Sequence, residues 1–424
     1  MTSRDWRTPY IQWGLALLLS AAIAISYLDR QTMPWAIVAI QKDIPFSNQV
    51  KAALDSAFLV SYGFMYIGGG MLLDRLGTKL GFLLIMSFWS LACASHGLAG
   101  GVLALACSRL LLGMGEGGGF PAATRAVAEW FPPQSRATAL GVVNAGTAVG
   151  GVFAPPVIAL ILTRADGFGL APWRWVFFIT GALGLAWVLL WALIYRTPPS
   201  PPKDAEPLAP PESAVRLIDM LKHKEVWAVV GAKFLSDGAW YFYLFWLPKY
   251  LFDVFHLDIK LAGSIGWIPY AASGVGCLIG GGLSSFLLRR GLSLGASRKW
   301  ALGASAALMP WVMFAPHTHS LPIVILLFSL AFFGQQSWST LIMTLPTDMI
   351  SKRAVATLAG LVGFGGAMGG VVLGQIVGWM RDHGFSYEPA LYLVGSLHIL
   401  AFALICGLIP NLKPLNLKRE TIRP

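Results

Sequence analysis

Asp29 and Arg30 stand side by side in "SAAIAISYLDRQTMPWAIVAI", an otherwise apolar run from Ser20 to Ile40. Arg109 with Glu116, and Lys233 with Asp237, lie in similar surroundings. A charge at the centre of a membrane helix costs at least about 2.5–3.5 kcal/mol on insertion scales. Three cations and three carboxylates balance in number, so burial is tolerable where they face one another or a wet cavity. Arg109 and Glu116 are two helical turns apart and share a helix face. Lys233 and Asp237 are one turn apart and can pair. Such a set can bind an anion together with a proton. The anion needs donors from Arg or Lys. The proton carrier needs a carboxyl whose charge responds to burial and to a nearby cation. The same residues could serve as a salt-bridge scaffold between helices, but an anion-and-proton site accounts better for the whole set. Glu116, set among glycines in "GMGEGGG", is the expected proton carrier, with Arg109 biasing its charge; Asp29 is its rival.

Neutral polar groups accompany the charges. Asn144 and Thr147 fall in one apolar run, Gln335 and Gln336 in another. Such groups supply donors and acceptors for the uncharged part of a bound anion. Trp240, Tyr241, Trp246, Trp267 and Tyr270 could stack on a ring of a bound ligand, although aromatics in spans more often pack or sit at the interface.

The elements that position these residues follow from composition. The chain has 424 residues, 56% hydrophobic and only 12% charged, where a soluble protein averages about 25% charged. Lipid must cover the outside. A bilayer core needs about 20 apolar residues per helix. Twelve spans are expected, near 13–40, 52–73, 80–98, 101–123, 137–162, 173–195, 225–252, 261–288, 300–316, 321–346, 354–379 and 388–410. The first is too long for a signal peptide and lacks a cleavage site. Residues 1–196 form one six-helix bundle and 225–424 a second with a cytoplasmic tail. The Pro-rich linker 197–224 joins them, and "VRLIDMLKHK" within it is either a short interfacial helix or plain linker.

The net charge of +11 could suggest nucleic acid, but its distribution argues otherwise. With both termini in the cytoplasm, 21 of the 31 Lys and Arg fall on the cytoplasmic side and 7 opposite, leaving Arg30, Arg109 and Lys233 within spans. That is the positive-inside bias of a membrane protein. The four cysteines lie in apolar runs and build neither a disulfide framework nor a CxxC site.

The two halves repeat. "TALGVVNAGTAVGG" (138–151) is similar to "TLAGLVGFGGAMGG" (357–370), and the same shift sets Glu116 on Gln335. Parallel repeats of this kind build a transport site between two halves. Gly366, Gly370, Gly374 and Gly378 recur every four residues, a smooth face for close helix packing.

"GGGMLLDRLGTK" carries Gly70, Asp74, Arg75, Gly77 and Lys79 in the G-x-x-x-D-R-x-G-x-[RK] pattern of the major facilitator superfamily, which the chain resembles. "SYLDRQTMPWA", "SRLLLGMGEGGGFPAATRAVAEWFPPQSRATALGVVNAGTAVGGVFAPP" and "WRWVFFITGALG" look like its anion:cation symporter branch. "AKFLSDGAWYFYLFWLPKYL" and "GWIPYAASGVGCLIGGGL" resemble bacterial hexuronate transporters. The resemblance implies an all-α fold of two pseudo-symmetric six-helix bundles in the cell inner membrane, with a conformational latch at 70–79. It implies proton coupling at the acids matching Asp29 and Glu116, anion binding at Arg30 and Arg109, and a substrate contact at Tyr62. Where those relatives carry Arg and Glu in the seventh span, this chain has Lys233 and Asp237. Lys is a point charge and not a planar fork, so a different sugar acid is open.

The expected function is therefore proton-coupled symport of a hexuronate-like anion by a monomer, without cofactor or metal. Another organic anion such as galactonate, glucarate or an aromatic acid stays open, as do sodium coupling and a receptor that binds without transporting. A membrane enzyme would need a nucleophile–base or metal cluster, and none is evident. "GMGEGG" fits G-x-G-x-x-G but lacks the strand–turn–helix context of a dinucleotide site. His317 and His319 have no companion ligands.

Overall fold

Apolar runs of about 20 residues fold as helices in lipid because only there is every backbone group satisfied within the segment. The computed structural model describes residues 9–131, 133–165, 169–196, 220–349, 355–413 and 415. Within them the elements are helical and no strand occurs. They make twelve spans. Helix α1 is Pro9–Asp43. Helices α2 and α3 are the arms of Asn48–Ser95, broken at Gly77. Span α4 is Val102–Glu116 continued by Gly119–Trp130. Helices α5 and α6 are Pro133–Arg164 and Pro172–Ile194. Helix α7 is Lys224–Phe255. Span α8 is Ile259–Ile265 with Ile268–Arg289, and α9 is Leu294–Ala306 with the 3-10 turn Met309–His317. Span α10 is Leu321–Ile342 with Leu345–Met349. Helices α11 and α12 are Val355–Asp382 and Glu388–Leu408.

Among the described residues, eight helices are long and apolar enough on their own to cross a bilayer. The others are α9, which is interrupted, and α2, α4 and α7, which carry Lys51 and Asp55, Arg109 and Glu116, and Lys233 and Asp237. Three of these four helices thus supply buried charges, and α1, which passes on length and apolarity, supplies Asp29 and Arg30 as well. The breaks have local causes. Pro269, Pro310 and Pro346 open the second pieces of α8, α9 and α10, where a missing N–H costs nothing. Gly77, at φ 74° and ψ 167°, turns α2 into α3 in a conformation that favours glycine. Of the linker, only residues 220–224 are described, and Met220 is buried against the second half; 197–219 lie outside the described residues.

The halves meet along α1 and α7, α2 and α11, and α5 and α8. They meet unevenly. One apolar core runs through the first half and into residues 239–251, 309–332 and 373–397 of the second. A separate core holds 220–232, 301–306, 338–349 and 401–409 at the other end of the second half. The halves thus share an apolar core at the face carrying the α1–α2 and α11–α12 connections, here the first face, and keep separate cores toward the second.

A carboxylate fastens the first face. Asp382, the last residue of α11, accepts from the backbone N–H groups of Asn48 and Gln49, both at 2.8 Å, at the start of α2. Gln375 bridges Gln49 and Ser56 below it. Gly378 lets the helices touch: a Cβ there would lie 2.7 Å from Ala52 Cβ and 2.9 Å from Asn48 O. A side chain filling free helix N–H groups stabilises by about 0.5–2 kcal/mol. Asp382→Ala is thus expected to raise labelling of a cysteine placed in the cleft, entered from the first face, several-fold. Unchanged labelling would mean that apolar packing alone holds this end.

Candidate functional site

The first half gathers its charges around α1. Glu116 accepts from Arg30 Nη2 at 2.9 Å, from Arg30 Nε at 3.2 Å and from Ser26 Oγ at 2.8 Å, all through Oε2. Its Oε1 is buried without a partner. The Arg30 guanidinium lies 4.8 Å from the Tyr27 ring, 4.6 Å from Tyr62 and 5.3 Å from Phe58. Tyr62 stacks on Phe58, which meets Phe245 of α7 edge-on. The cation is thus held flat between aromatic faces, at the seam with the second half, with one carboxylate oxygen as its ionic partner. A planar guanidinium suits that slot; an ammonium does not.

Arg109 remains close enough to Glu116 to bias its charge, as the shared face suggested, but makes its ion pair elsewhere. Its Nη2 bonds Asp55 Oδ1 of α2 at 3.2 Å, and Lys51 Nζ reaches Asp55 Oδ2 at 2.7 Å. The reason is packing. An added Cβ at Gly113 would strike Phe58 O, so α4 lies directly on α2 and delivers Arg109 to that helix. Lys51 also sits 4.2 Å from the Trp246 ring of α7. It is fully buried, although it falls just before the span expected at 52–73. Asp55 therefore neutralises two buried cations. Removing one partner of a buried pair costs about 3–5 kcal/mol. Asp55→Asn is expected to lower the thermal midpoint and monodisperse yield in detergent sharply. Lys51→Met leaves Arg109 paired and should cost much less.

Asp29 is fully buried and lies close enough to Glu116 for the two acids to act on each other through charge. Trp89 and Cys93 of α3 and Thr180 of α6 enclose its carboxyl, with no ion pair and no well-formed hydrogen bond. It lies in the interior of the first bundle.

In the second half, Lys233 Nζ lies 2.9 Å from Asp237 Oδ1 and donates to Ser339 Oγ at 2.9 Å. Gln335 Nε2 approaches the same carboxylate oxygen at 3.4 Å, and its Oε1 meets His398 Nε2. A Cβ at Gly366 would strike Asp237 Oδ2, so only glycine lets α11 lie against that carboxylate. Trp240 stands edge-on to Phe332, 5.4 Å between centroids. The repeat is thus electrostatically swapped: the α4 position holds a carboxylate, Glu116, that accepts from α1, and its counterpart Gln335 donates to a carboxylate on α7.

Asn144, Thr147, Ala148 and Gly151 share one face of α5 by spacing. Gly151 touches Tyr270 and Ala148 faces Gly274 of α8, while Asn144, a turn nearer the second face, is exposed. Thr147 and Gln336 are half-buried. Of the expected latch, Gly77 forms the kink, Arg75 and Lys79 are exposed, and Lys79 O accepts from Trp191 Nε1 at 3.0 Å. The side-chain positions of Asp74 and Gly70 lie outside the described residues. The glycine face of α11 is broken at Gly374, whose Cβ position meets open space. No group of His, Cys, Asp and Glu among the described residues could hold a metal.

Sequence comparison accords with this geometry. The model of the Major Facilitator Superfamily matches residues 19–374. The chain belongs to that superfamily. A hexuronate transporter of Escherichia coli K12 is 26% identical, covering 97% of each chain. A D-galactonate transporter of Escherichia coli O6:H1 is 27% identical, covering 92% of this chain and 94% of the relative. A probable sulfoacetate transporter of Cupriavidus necator is 30% identical over 88% of each. Two solved superfamily folds align closely. One is a bacterial homologue of the human lysosomal transporter Spinster, inward-facing and unoccupied, with TM-score 0.74 and 21% identity, covering 95% of this chain and 96% of that one. The other is a D-xylose–proton symporter, with TM-score 0.72 and 16% identity, covering 95% and 99%. The chain is a multi-pass membrane protein of the superfamily fold.

Lys51, Asp55, Ser26, Tyr27, Ser339 and His398 escaped the sequence reading. The four-residue spacing of Lys51 and Asp55 was a usable signal, masked by their place at the expected end of a span. Ser26, Ser339 and His398 carry none, because their partners are chosen by tertiary packing.

Proposed function

We propose that the chain is a proton-coupled symporter of a sugar-acid monoanion such as a hexuronate, working by alternating access between its two bundles. One observation carries this reading: Arg30, ringed by Tyr27, Tyr62 and Phe58 at the seam between the halves, is paired, among the described acids, with Glu116 alone. An entering carboxylate competes with Glu116 for the guanidinium. Glu116, released in a buried place, then takes a proton. Anion and proton thereby bind together, with reciprocal coupling typically of about 1–3 kcal/mol. Asp29, near Glu116 in the interior of the first bundle, is the second acid in reach of this exchange. Lys233, Asp237, Gln335, Gln336 and Trp240 of the second half, with Asn144 and Thr147 of α5, line the facing side and read the hydroxyls. Arg109 acts through Asp55, one layer behind. The relatives named for hexuronates and D-galactonate support an anionic sugar derivative. Galactonate, a dicarboxylate or a small sulfonate is the alternative cargo, since Lys233 offers a second cation.

In this reading the protein is a monomer in a bacterial-type inner membrane, with both termini cytoplasmic. The first face is extracytoplasmic, and the structure corresponds to an inward-open state. The loop at 70–79 latches the opposite state, and neither cofactor nor metal takes part. The test is uptake into proteoliposomes of D-glucuronate, D-galacturonate, D-galactonate and sulfoacetate, with an imposed pH gradient, acid outside. Accumulation of one of these above equilibrium, abolished by a protonophore, is the expected result. Uptake that only equilibrates, or that follows sodium and ignores pH, would overturn the coupling.

A further inference from the structure

The second-half polar groups form a directional chain that starts away from the cleft. His398 of α12 is fully buried, with its ring edge-on to Trp338 at 5.5 Å. Its Nε2 meets Gln335 Oε1, Gln335 Nε2 faces Asp237 Oδ1, and Asp237 holds Lys233. The donor sense has a single solution. An ionised carboxylate only accepts. Gln335 must therefore turn its NH2 to Asp237 and its carbonyl to His398. His398 must then donate from Nε2, which fixes its tautomer and leaves Nδ1 bare, as it is here.

We propose that His398 is a positioning residue for substrate binding: by holding the Gln335 amide in one orientation, it makes Lys233 available to an anion. This rests on the reading that Lys233 meets the substrate. For Lys233 to turn toward a substrate carboxylate it must loosen from Asp237. A buried carboxylate without a partner is costly. Asp237 cannot swing into a better place, because the backbone of Gly366 closes one side. The Gln335 NH2 is the donor that remains. The terminal torsion of a glutamine is broad and roughly two-fold, so a free Gln335 would spend time with its oxygen toward Asp237, where it repels. The imidazole N–H removes that choice. His96, the other buried histidine described, has no such role: its Nδ1 meets carbonyl groups of its own segment, Ala92 and Cys93.

The experiment measures the affinity of the purified full-length protein for D-glucuronate and D-galactonate in four variants, each alone and with Asp237→Asn. His398→Gln keeps an N–H at the distance of Nε2, His398→Asn offers one too close to the backbone, and His398→Phe has none. His398→Phe and His398→Asn should weaken binding about ten-fold, while His398→Gln stays within about two-fold of the parent. In the Asp237→Asn background the His398 changes should have little further effect, because residues in one hydrogen-bond chain are not additive. If His398→Phe does not fold, the contrast between Gln and Asn decides. Equal behaviour of Gln and Asn, or losses that multiply with Asp237→Asn, would overturn the relay. Lys233→Gln, the fourth variant, separates the two layers. Unchanged affinity there removes the reading on which the proposal rests. Lost affinity with multiplying His398 and Asp237 effects removes the relay alone.

Discussion

Glu116→Gln is expected to abolish accumulation driven by a pH gradient while sparing substrate binding and the exchange of labelled for unlabelled substrate. The reason lies in the geometry of one oxygen. Glu116 Oε2 receives Ser26 and both Arg30 donors, and Oε1 receives nothing. A glutamine is nearly isosteric and uncharged, so it stands in for the protonated acid. It can still accept from Ser26 through its carbonyl oxygen, and it no longer holds Arg30 as a counter-ion. Arg30 is then free for the anion at every pH, and affinity should rise or stay level while its pH dependence disappears. Transport loses its link to the proton, so concentrative uptake falls to the exchange level. Asp29→Asn is the control. Asp29 touches Trp89, Cys93 and Thr180 and does not touch Arg30, so on this account its loss alters rate or stability before stoichiometry. Concentrative uptake by Glu116→Gln under a pH gradient alone would move the coupling proton to Asp29.

What could be read from the chain alone divides along a physical line. The twelve spans were legible because apolar length is a local property, and so was the repeat. The breaks at Pro269, Pro310 and Pro346 follow local rules as well. The break after Glu116 was harder, since Gly117 and Gly118 end one helical piece without a proline. The charges themselves were legible as exceptions to an apolar background. Their pairing was not. Arg109 and Glu116 share a helix face and act on each other through charge as the spacing suggested, but neither is the other's ion-pair partner. The partners are set instead by which helix lies across which: α4 rests on α2 through Gly113 and brings Arg109 to Asp55, while α1 brings Arg30 to Glu116. Lys233 and Asp237 pair as spacing foresaw, because one turn of one helix suffices. Intrahelical partners are thus readable at four residues, and interhelical ones only from packing.

That exchange of partners changes which arginine should matter most for the ligand. Arg30→Gln is expected to weaken anion binding by at least about 30-fold, since truncating a buried hydrogen-bonded charge costs about 2–5 kcal/mol. The same substitution strands Glu116, so the loss must be separated from misfolding. The double variant Arg30→Gln with Glu116→Gln removes both charges together and should regain thermal stability without regaining affinity. Arg30→Lys keeps the charge and discards the fork. Two guanidinium nitrogens reach one carboxylate oxygen between rings 4.8 and 4.6 Å away, and an ammonium cannot fill that flat slot or make two parallel bonds to a carboxylate. It should fold and still bind at least about ten-fold more weakly than the parent. Arg109→Gln supplies the contrast. It leaves Lys51 to neutralise Asp55, so it should cost stability and leave the affinity of the folded fraction within a few-fold. The measurement is the affinity of each monodisperse variant for the anion that stabilises the parent protein. A folded Arg30→Gln that binds normally, beside an Arg109→Gln that does not bind at all, would place the anion one layer deeper, against α2.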